Sequence, residues 1–451
     1  MKDTLTLKEN INIIDHYDVI VLGGGTAGSV AGSAAARLNA KTLIIESEGA
    51  LGGTSTVGQV TPMMPVEIEG NPDSSAFNKE IKKRLIAEGY GAKDSNGNDG
   101  WFNPEMLKHT LEDIYLEYNG DILYDCEFVK PIVENDTIKG VIVYNKNGLE
   151  AYTADQFIDA TGDALVAYRA DVPCKEGSKE DKYQAVSLRF TVSNIELKKF
   201  TNFLSELGQD YGLEYPLVET AMVWGEGFAL EKIFLEALES GDLKKEDGKY
   251  FQAFSIPGMP TSMYFNCPEI PGKINSLDPK ELTEARIKGR KMMKRLYNFF
   301  VDYLPGFNTS FIASEASIIG IRESRRIVGE YVLDSEDYQK RRKFPDAIAN
   351  SAYPIDIHGD ELELKEVKKG EYYQIPYRTL IPKNITNLLV TGKSISSTFT
   401  TQAAIRIQSI CRATGEAAGI AAAMAVKENI TVRDIDGKKI KEQMLNWGAD
   451  I

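Results

Sequence analysis

The stretch DVIVLGGGTAGSVAGSAAARLNAKTLIIESE, residues 18–48, joins two apolar runs through three successive glycines. Val19 to Leu22 are apolar at every position, as a parallel strand covered on both faces requires. Gly23, Gly25 and Gly28 then satisfy G-x-G-x-x-G, with Thr26 and Ala27 inside the turn, and the small residues that follow suit a helix pressed close to a sheet. The first glycine permits the tight turn, the second lets the backbone approach a pyrophosphate, and the third lets helix and strand pack. A helix starting there offers free N–H groups and a positive dipole end to phosphates. The second run, TLII, leads into Glu46 and Ser47, and Glu46 follows Gly28 at close to the roughly 20-residue spacing expected of a ribose-binding carboxylate. Strand, glycines, helix, strand and carboxylate in this order read as a dinucleotide site; the competing reading is an ordinary strand–turn–helix.

The rest of the chain sets bounds. At 451 residues it is long enough for two domains. Lysine and arginine number 52 against 66 aspartates and glutamates, a formal charge of −14, which argues against nucleic acid or an anionic membrane as partner. Cys126, Cys174, Cys267 and Cys411 are scattered singly, so no CxxC offers a redox disulfide, metal knuckle or iron–sulfur ligand set, and no metal is expected. The N-terminal residues lack the pattern of a signal peptide and no apolar run reaches membrane-span length, so the expected location is cytoplasmic.

Further motifs recur along the chain: LGGTST at 51–56, WFNPEMLK at 101–108, IDATGDA at 158–164, IGIRESRRIVGEYVL at 319–333, IPYRTLIP at 375–382, and NLLVTGKSIS from 387 through GEAAGIAAA. With the GGGTAG turn these resemble the bacterial FAD-dependent oxidoreductase family of glutathione-reductase-like, two-dinucleotide-binding flavoproteins, distant relatives of fumarate reductase flavoprotein subunits. The resemblance implies an α/β fold. A Rossmann-like FAD-binding domain of glutathione-reductase type would be discontinuous over 1–170 and 372–451, with an α+β substrate or cap domain inserted at 171–371. It also implies non-covalent FAD. Gly23, Gly25 and Gly28 would then face the pyrophosphate, Glu46 the adenosine ribose, and Gly52, Gly53 and Thr54 the ribityl chain. Phe128 or Val129 would offer backbone to adenine, Thr161 and Gly162, followed by Asp163, would close that side, and Gly392 would lie near the ribityl phosphate. A helix running from about 402 to 426 and starting near Gln402 would aim N–H groups at the flavin. Lys393 departs from the wider class, many members of which have a carboxylate there.

For the chemistry, flavin would supply the redox step and the protein would position substrate and move a proton. His358, in SAYPIDIHGDE, is the histidine placed for proton transfer. Arg322, Arg325 and Arg326, read as one or two helical turns, would share a face and grip a substrate carboxylate, or else pair with Glu315, Glu323 and Glu330 as a structural network. Tyr377 and Arg378 are a further pair for the floor of the site. The aromatic segments SMYFN and YNFFVDYLPGF suit either a cleft roof or a core. Cys411 reads as a structural thiol.

The expected function is hydride transfer between flavin N5 and a small organic molecule, an anionic one if the arginines face it, with an external electron donor or acceptor. The alternatives are a flavin-dependent monooxygenase and a non-enzymatic FAD-binding electron-transfer subunit.

Overall fold

The computed structural model describes residue 6 and residues 8–178, 183–357 and 368–451. Its larger sheet forms where the sequence is most apolar. Strand β1 (Asn12–Leu22) pairs in parallel with β2 (Thr42–Ile45), and β2 with β3 (Asp121–Leu123). Strands β4 (Glu127–Glu134) and β5 (Thr137–Asn145) make an antiparallel ribbon that leads into β6 (Gly148–Asp159), and β6 lies parallel to β1. Alternation along the strands feeds two cores. Val19, Val21, Ile44 and Ile158 face one, with helices α1 (Gly28–Arg37) and α2 (Pro104–Glu117); Ile20, Leu22, Leu43, Ile45 and Phe157 face the other. This is a mixed α/β chain with a parallel, Rossmann-like centre.

The chain then builds a second sheet in which every neighbouring pair is antiparallel. In spatial order it runs from β8 (Glu219–Val223) through β9 (Tyr250–Ile256), β10 (Met259–Phe265) and β7 (Phe190–Ser193) to β11 (Phe311–Glu315). One face is apolar. Phe190, Phe251, Ala253 and Phe265 bury there against Met293, Leu296 and Phe300 of the 25-residue α3 (Pro279–Tyr303), with Phe265 stacked on Phe300 at 4.7 Å. Phe265, Phe299, Phe300 and Phe307 of the two aromatic segments therefore fill a core. Leu333, Tyr338, Ala347, Tyr373, Ile375 and Tyr377, further along, join the core of α1.

The chain returns to the first sheet as β12 (Leu388–Val390), which pairs in parallel with the C-terminal end of β6. The single helix expected from 402 is instead two helices, α4 (Phe399–Ile405) and α5 (Gln408–Glu428), broken where Ile407 takes an extended conformation (φ −65°, ψ 152°). α5 then packs on α1 at van der Waals range through its glycines. A Cβ at Gly415 would come within 2.2 Å of the Ala27 carbonyl oxygen, and one at Gly419 within 2.1 Å of that of Ala31. Among the described residues, no helix is long and apolar enough to cross a membrane.

Candidate functional site

A cavity of about 900 Å³ lies between the C-terminal ends of β1, β2 and β6 and the face of the second sheet turned away from Phe190, Phe251 and Phe265. Its size is toward the upper end of small-molecule sites.

The glycine turn forms one wall. Gly23 is left-handed (φ +94°), and a Cβ there would meet the Ala160 carbonyl oxygen at 2.7 Å; at Gly28 it would meet that of Gly23 at 1.8 Å. Gly25 is different. The nearest atom to a Cβ there is 3.9 Å away, leaving bare backbone on the cavity wall. Ala27 precedes α1 without a side-chain cap, and no acidic residue occupies the first turn, so the positive end of the helix is open for an anion. Thr26 and Thr54 link hydroxyls at 3.1 Å, and Thr26 also donates to the Gly52 carbonyl. Gly28 and Gly52 stand behind this wall, while Gly23, Gly25, Thr26, Ala27, Gly53 and Thr54 line it.

Glu46 holds the turn from the end of β2. Its Oε2 accepts from the Gly24 N–H at 2.6 Å, and Oε1 from the Glu48 N–H at 2.8 Å and the Ser47 hydroxyl at 3.2 Å. Burial raises its carboxyl above the ordinary range, and these bonds oppose the shift. Ser47 and Phe128 also line the cavity, whereas Val129 does not. Thr161, Gly162, Asp163, Gly392 and Lys393 line it too. Lys393 is engaged: it pairs with Asp163 at 3.0 Å and donates to the Gly162 carbonyl, which also accepts from Ser394 at 2.7 Å.

The third wall is the start of α5. Arg406, Ile407, Gln408 and Cys411 line the cavity, and no side chain caps the helix. Gln402 is not the helix start expected of it. It is fully buried, donating to the Arg322 carbonyl at 2.9 Å and accepting from Gln184 at 3.1 Å. Burial pushes the Cys411 thiol up to about 11, so it stays protonated at neutral pH.

The arginine segment is not helical. Residues 321–325 are irregular and Arg326–Ile327 is a short strand paired with Cys174–Lys175, so the expected shared helical face does not exist. Arg322 does line the cavity, though it is occupied, donating to the Ala185 carbonyl at 2.6 Å and lying 3.7 Å from Glu269. Arg325 stacks on Tyr168 at 3.9 Å, and Arg326 pairs with Glu323; neither reaches the cavity. Tyr377 and Arg378 are also away from it. The Tyr377 hydroxyl donates to the Val432 carbonyl at 2.7 Å, and Arg378 pairs with Asp346 at 2.9 Å. His358 lies outside the described residues.

Several lining residues escaped the sequence reading. Register extends Phe190↔Phe265 and Ala253↔Phe265 by one residue, setting Arg189, Asn266 and Gln252 side by side on the face opposite the phenylalanines. Asn266 Nδ2 donates to Gln252 Oε1 at 2.9 Å, and all three line the cavity with Tyr250, Phe254 and Arg406. The available signal was the alternation S-L-R-F-T-V at 187–192, a period-two strand with an arginine on its polar side.

A wall of bare backbone at Gly25, an uncapped helix end and a carboxylate fixed beside them fit the pyrophosphate and ribose of a dinucleotide. The model of the family described as FAD-dependent oxidoreductase matches residues 18–444. A dihydrolipoyl dehydrogenase of Trypanosoma brucei brucei is 55% identical over 42 residues, 9% of each chain. A digeranylgeranylglycerophospholipid reductase of Thermoplasma volcanium is 26% identical over 161 residues, 33% of this chain and 40% of that protein. This chain thus matches less than half the length of these curated relatives. Among solved structures, a geranylgeranyl bacteriochlorophyll reductase-like protein from Thermoplasma acidophilum is 14% identical with a TM-score of 0.48, covering 96% of this chain and 83% of that one. The myxobacterial chondrochloren halogenase is 12% identical with a TM-score of 0.49, covering 96% and 78%.

Proposed function

The chain belongs to the FAD-dependent oxidoreductase family, and on that premise we propose that this enzyme, with FAD as its cofactor, exchanges a hydride with a small organic substrate held under the second sheet. Bound FAD supplies the two-electron chemistry, at N5 of its ring. In this reading the first sheet is a glutathione-reductase-type FAD domain and the second sheet its substrate cap. FAD is held without a covalent bond, and a separate donor or acceptor balances the electrons.

Gly23, Gly25, Thr26 and Ala27 receive the pyrophosphate, and Gly28 lets α1 come close enough to do so. Glu46 takes the ribose hydroxyls through the lone pairs its three protein donors leave free. Thr54, with Gly53, runs along the ribityl chain; Phe128 and Thr161 to Asp163 bound the adenine side. The observation that carries the reading is the uncapped start of α5 on the cavity wall, between the glycine turn and the polar face of the second sheet. Its free N–H groups and dipole hold negative charge at that point, which a hydride-accepting ring acquires. Tyr250, pushed up to about 12 by burial, keeps its proton at neutral pH and is a neutral donor on the substrate side.

Rapid mixing tests this. Photoreduced, oxygen-free enzyme is mixed with enoates, quinones and oxygen in turn. Reoxidation by one organic acceptor much faster than by oxygen is the expected result. Reoxidation by oxygen alone, with an oxygenated product, would replace hydride transfer by oxygen activation.

A further inference from the structure

We propose that Arg189, with the neighbouring amides of Asn266 and Gln252, is the substrate-recognition group of this site and that the substrate is a small organic acid, held by its carboxylate. The inference rests on the hydride-transfer reading above and names the chemistry of what that reading leaves open.

Strand alternation places Arg189 where an arginine is costly. Its neighbours Leu188 and Phe190 enter the phenylalanine core, and Arg189 points the opposite way, 8% exposed, into the cavity. Among the described residues no carboxylate pairs with it and no acceptor takes a hydrogen bond from its guanidinium. The nearby charges are accounted for. Arg322 has Glu269 at 3.7 Å and Arg406 has Asp356 at 3.1 Å, so both of these acids are already engaged. Burial, with the Arg322 charge next to it, pulls the Arg189 guanidinium down to about 9, still protonated at neutral pH.

A buried cation without a partner destabilises the empty protein, and five N–H donors are left to satisfy. A carboxylate repairs both, since its two oxygens match the guanidinium fork. Asn266 adds a second demand from the adjacent strand. Its Nδ2 is used on Gln252, while its Oδ1 is buried without a donor, so the ligand beside the carboxylate carries an N–H or O–H there. Tyr250 and Phe254, on the same face of β9, wall this corner.

The test uses FAD-loaded enzyme and three probes, glycolate and lactate, which carry an O–H beside the carboxylate, and acetate, which does not, with sulfate as the inorganic control. Binding is read from the visible flavin spectrum and by calorimetry, and each variant is melted with and without probe. At least one carboxylate should perturb the wild-type spectrum saturably and more tightly than sulfate. Arg189→Met should weaken it about tenfold to a hundredfold, the range for loss of a charge-assisted bond, and Arg189→Lys should fall between. Two further readouts separate this role from a structural one: Arg189→Met should keep its FAD affinity, and without probe it should melt no lower than wild type. A parallel loss of FAD affinity, a fall in melting temperature with carboxylate binding intact, equal binding of sulfate, or no response to any carboxylate would each overturn the proposal. Failure of the hydride reading looks different: carboxylates still bind through Arg189, yet reduced enzyme gives its electrons only to oxygen.

Discussion

Single residues on the glycine wall separate geometry from hydrogen bonding. Gly28→Val puts atoms where the Gly23 carbonyl oxygen stands, 1.8 Å from the first added carbon, so α1 must move and FAD retention should be lost on a desalting column. Glu46→Ala removes only acceptors, and should weaken FAD binding by about 1.5–3 kcal/mol, the range for bonds to a charged group. Equal, mild losses would mean the glycines form nothing more than a turn. Glu416, fully buried in α5, gives a test by pH. It accepts from the Ser75 hydroxyl at 2.5 Å and the Phe77 N–H at 3.2 Å, while its other oxygen has no partner, and burial raises its carboxyl to about 7. The folded protein therefore keeps this proton where the unfolded chain has released it. Stability linked to Glu416 is full below the ordinary carboxyl pKa and is lost as pH rises toward 7. Glu416→Gln does not titrate, so its stability relative to wild type should improve by about 3 kcal/mol between pH 4 and pH 8, a tenfold change in proton affinity being worth roughly 1.4 kcal/mol. A pH-independent difference in urea titrations would show that Glu416 is ionised when folded.

Among the elements, the contact between α1 and α5 governs both uncapped helix ends. Gly415→Ala drives a methyl into the carbonyl of Ala27 just before α1, and Gly419→Ala into that of Ala31 within it; each should cost about 1–3 kcal/mol, as overpacking does, with weaker FAD binding because both helix starts shift. Gly49→Ala meets nothing within 4 Å and is the matched control. If all three variants melt alike, the close approach carries no energy. These elements were unevenly legible. The turn at Gly23–Gly28 and the carboxylate at Glu46 are local chemistry, written within one strand–helix–strand segment, and the structure puts them on one wall. The break between α4 and α5 was not legible, since no glycine or proline marks Arg406 or Ile407 and the strong helix formers Gln402, Ala403, Ala404, Arg406 and Gln408 run straight across it. Charges three apart at Arg322 and Arg325 imitate a helical face, yet the backbone there is irregular and short-strand, held by partners distant in sequence such as Ala185 and Glu269. Arg189 needed still more: its role depends on register with Asn266 and, through β10, with Gln252, which only strand pairing reveals.

Across the whole molecule, the cavity has two different owners, a glycine-turn wall from one core and a polar sheet face from another. Cofactor binding should therefore stabilise the chain by mass action, about 2.7 kcal/mol at a hundredfold excess over Kd, and a melting temperature unmoved by added FAD in stripped protein would argue that the wall is not a cofactor site. The pairing of β6 with both β1 and β12 also bears on how the protein is made. β1 lies along β6 early in the chain, but the strand that completes that edge, β12, emerges from the ribosome only after every strand of the second sheet. Vectorial synthesis thus lets the phenylalanine core condense while the glycine-turn wall still lacks β12 and α5. Nascent chains stalled before Leu388 should yield a protease-resistant fragment from the second sheet and retain no flavin, so that cofactor capture waits on the emergence of β12 and α5 and not on the folding of the second sheet.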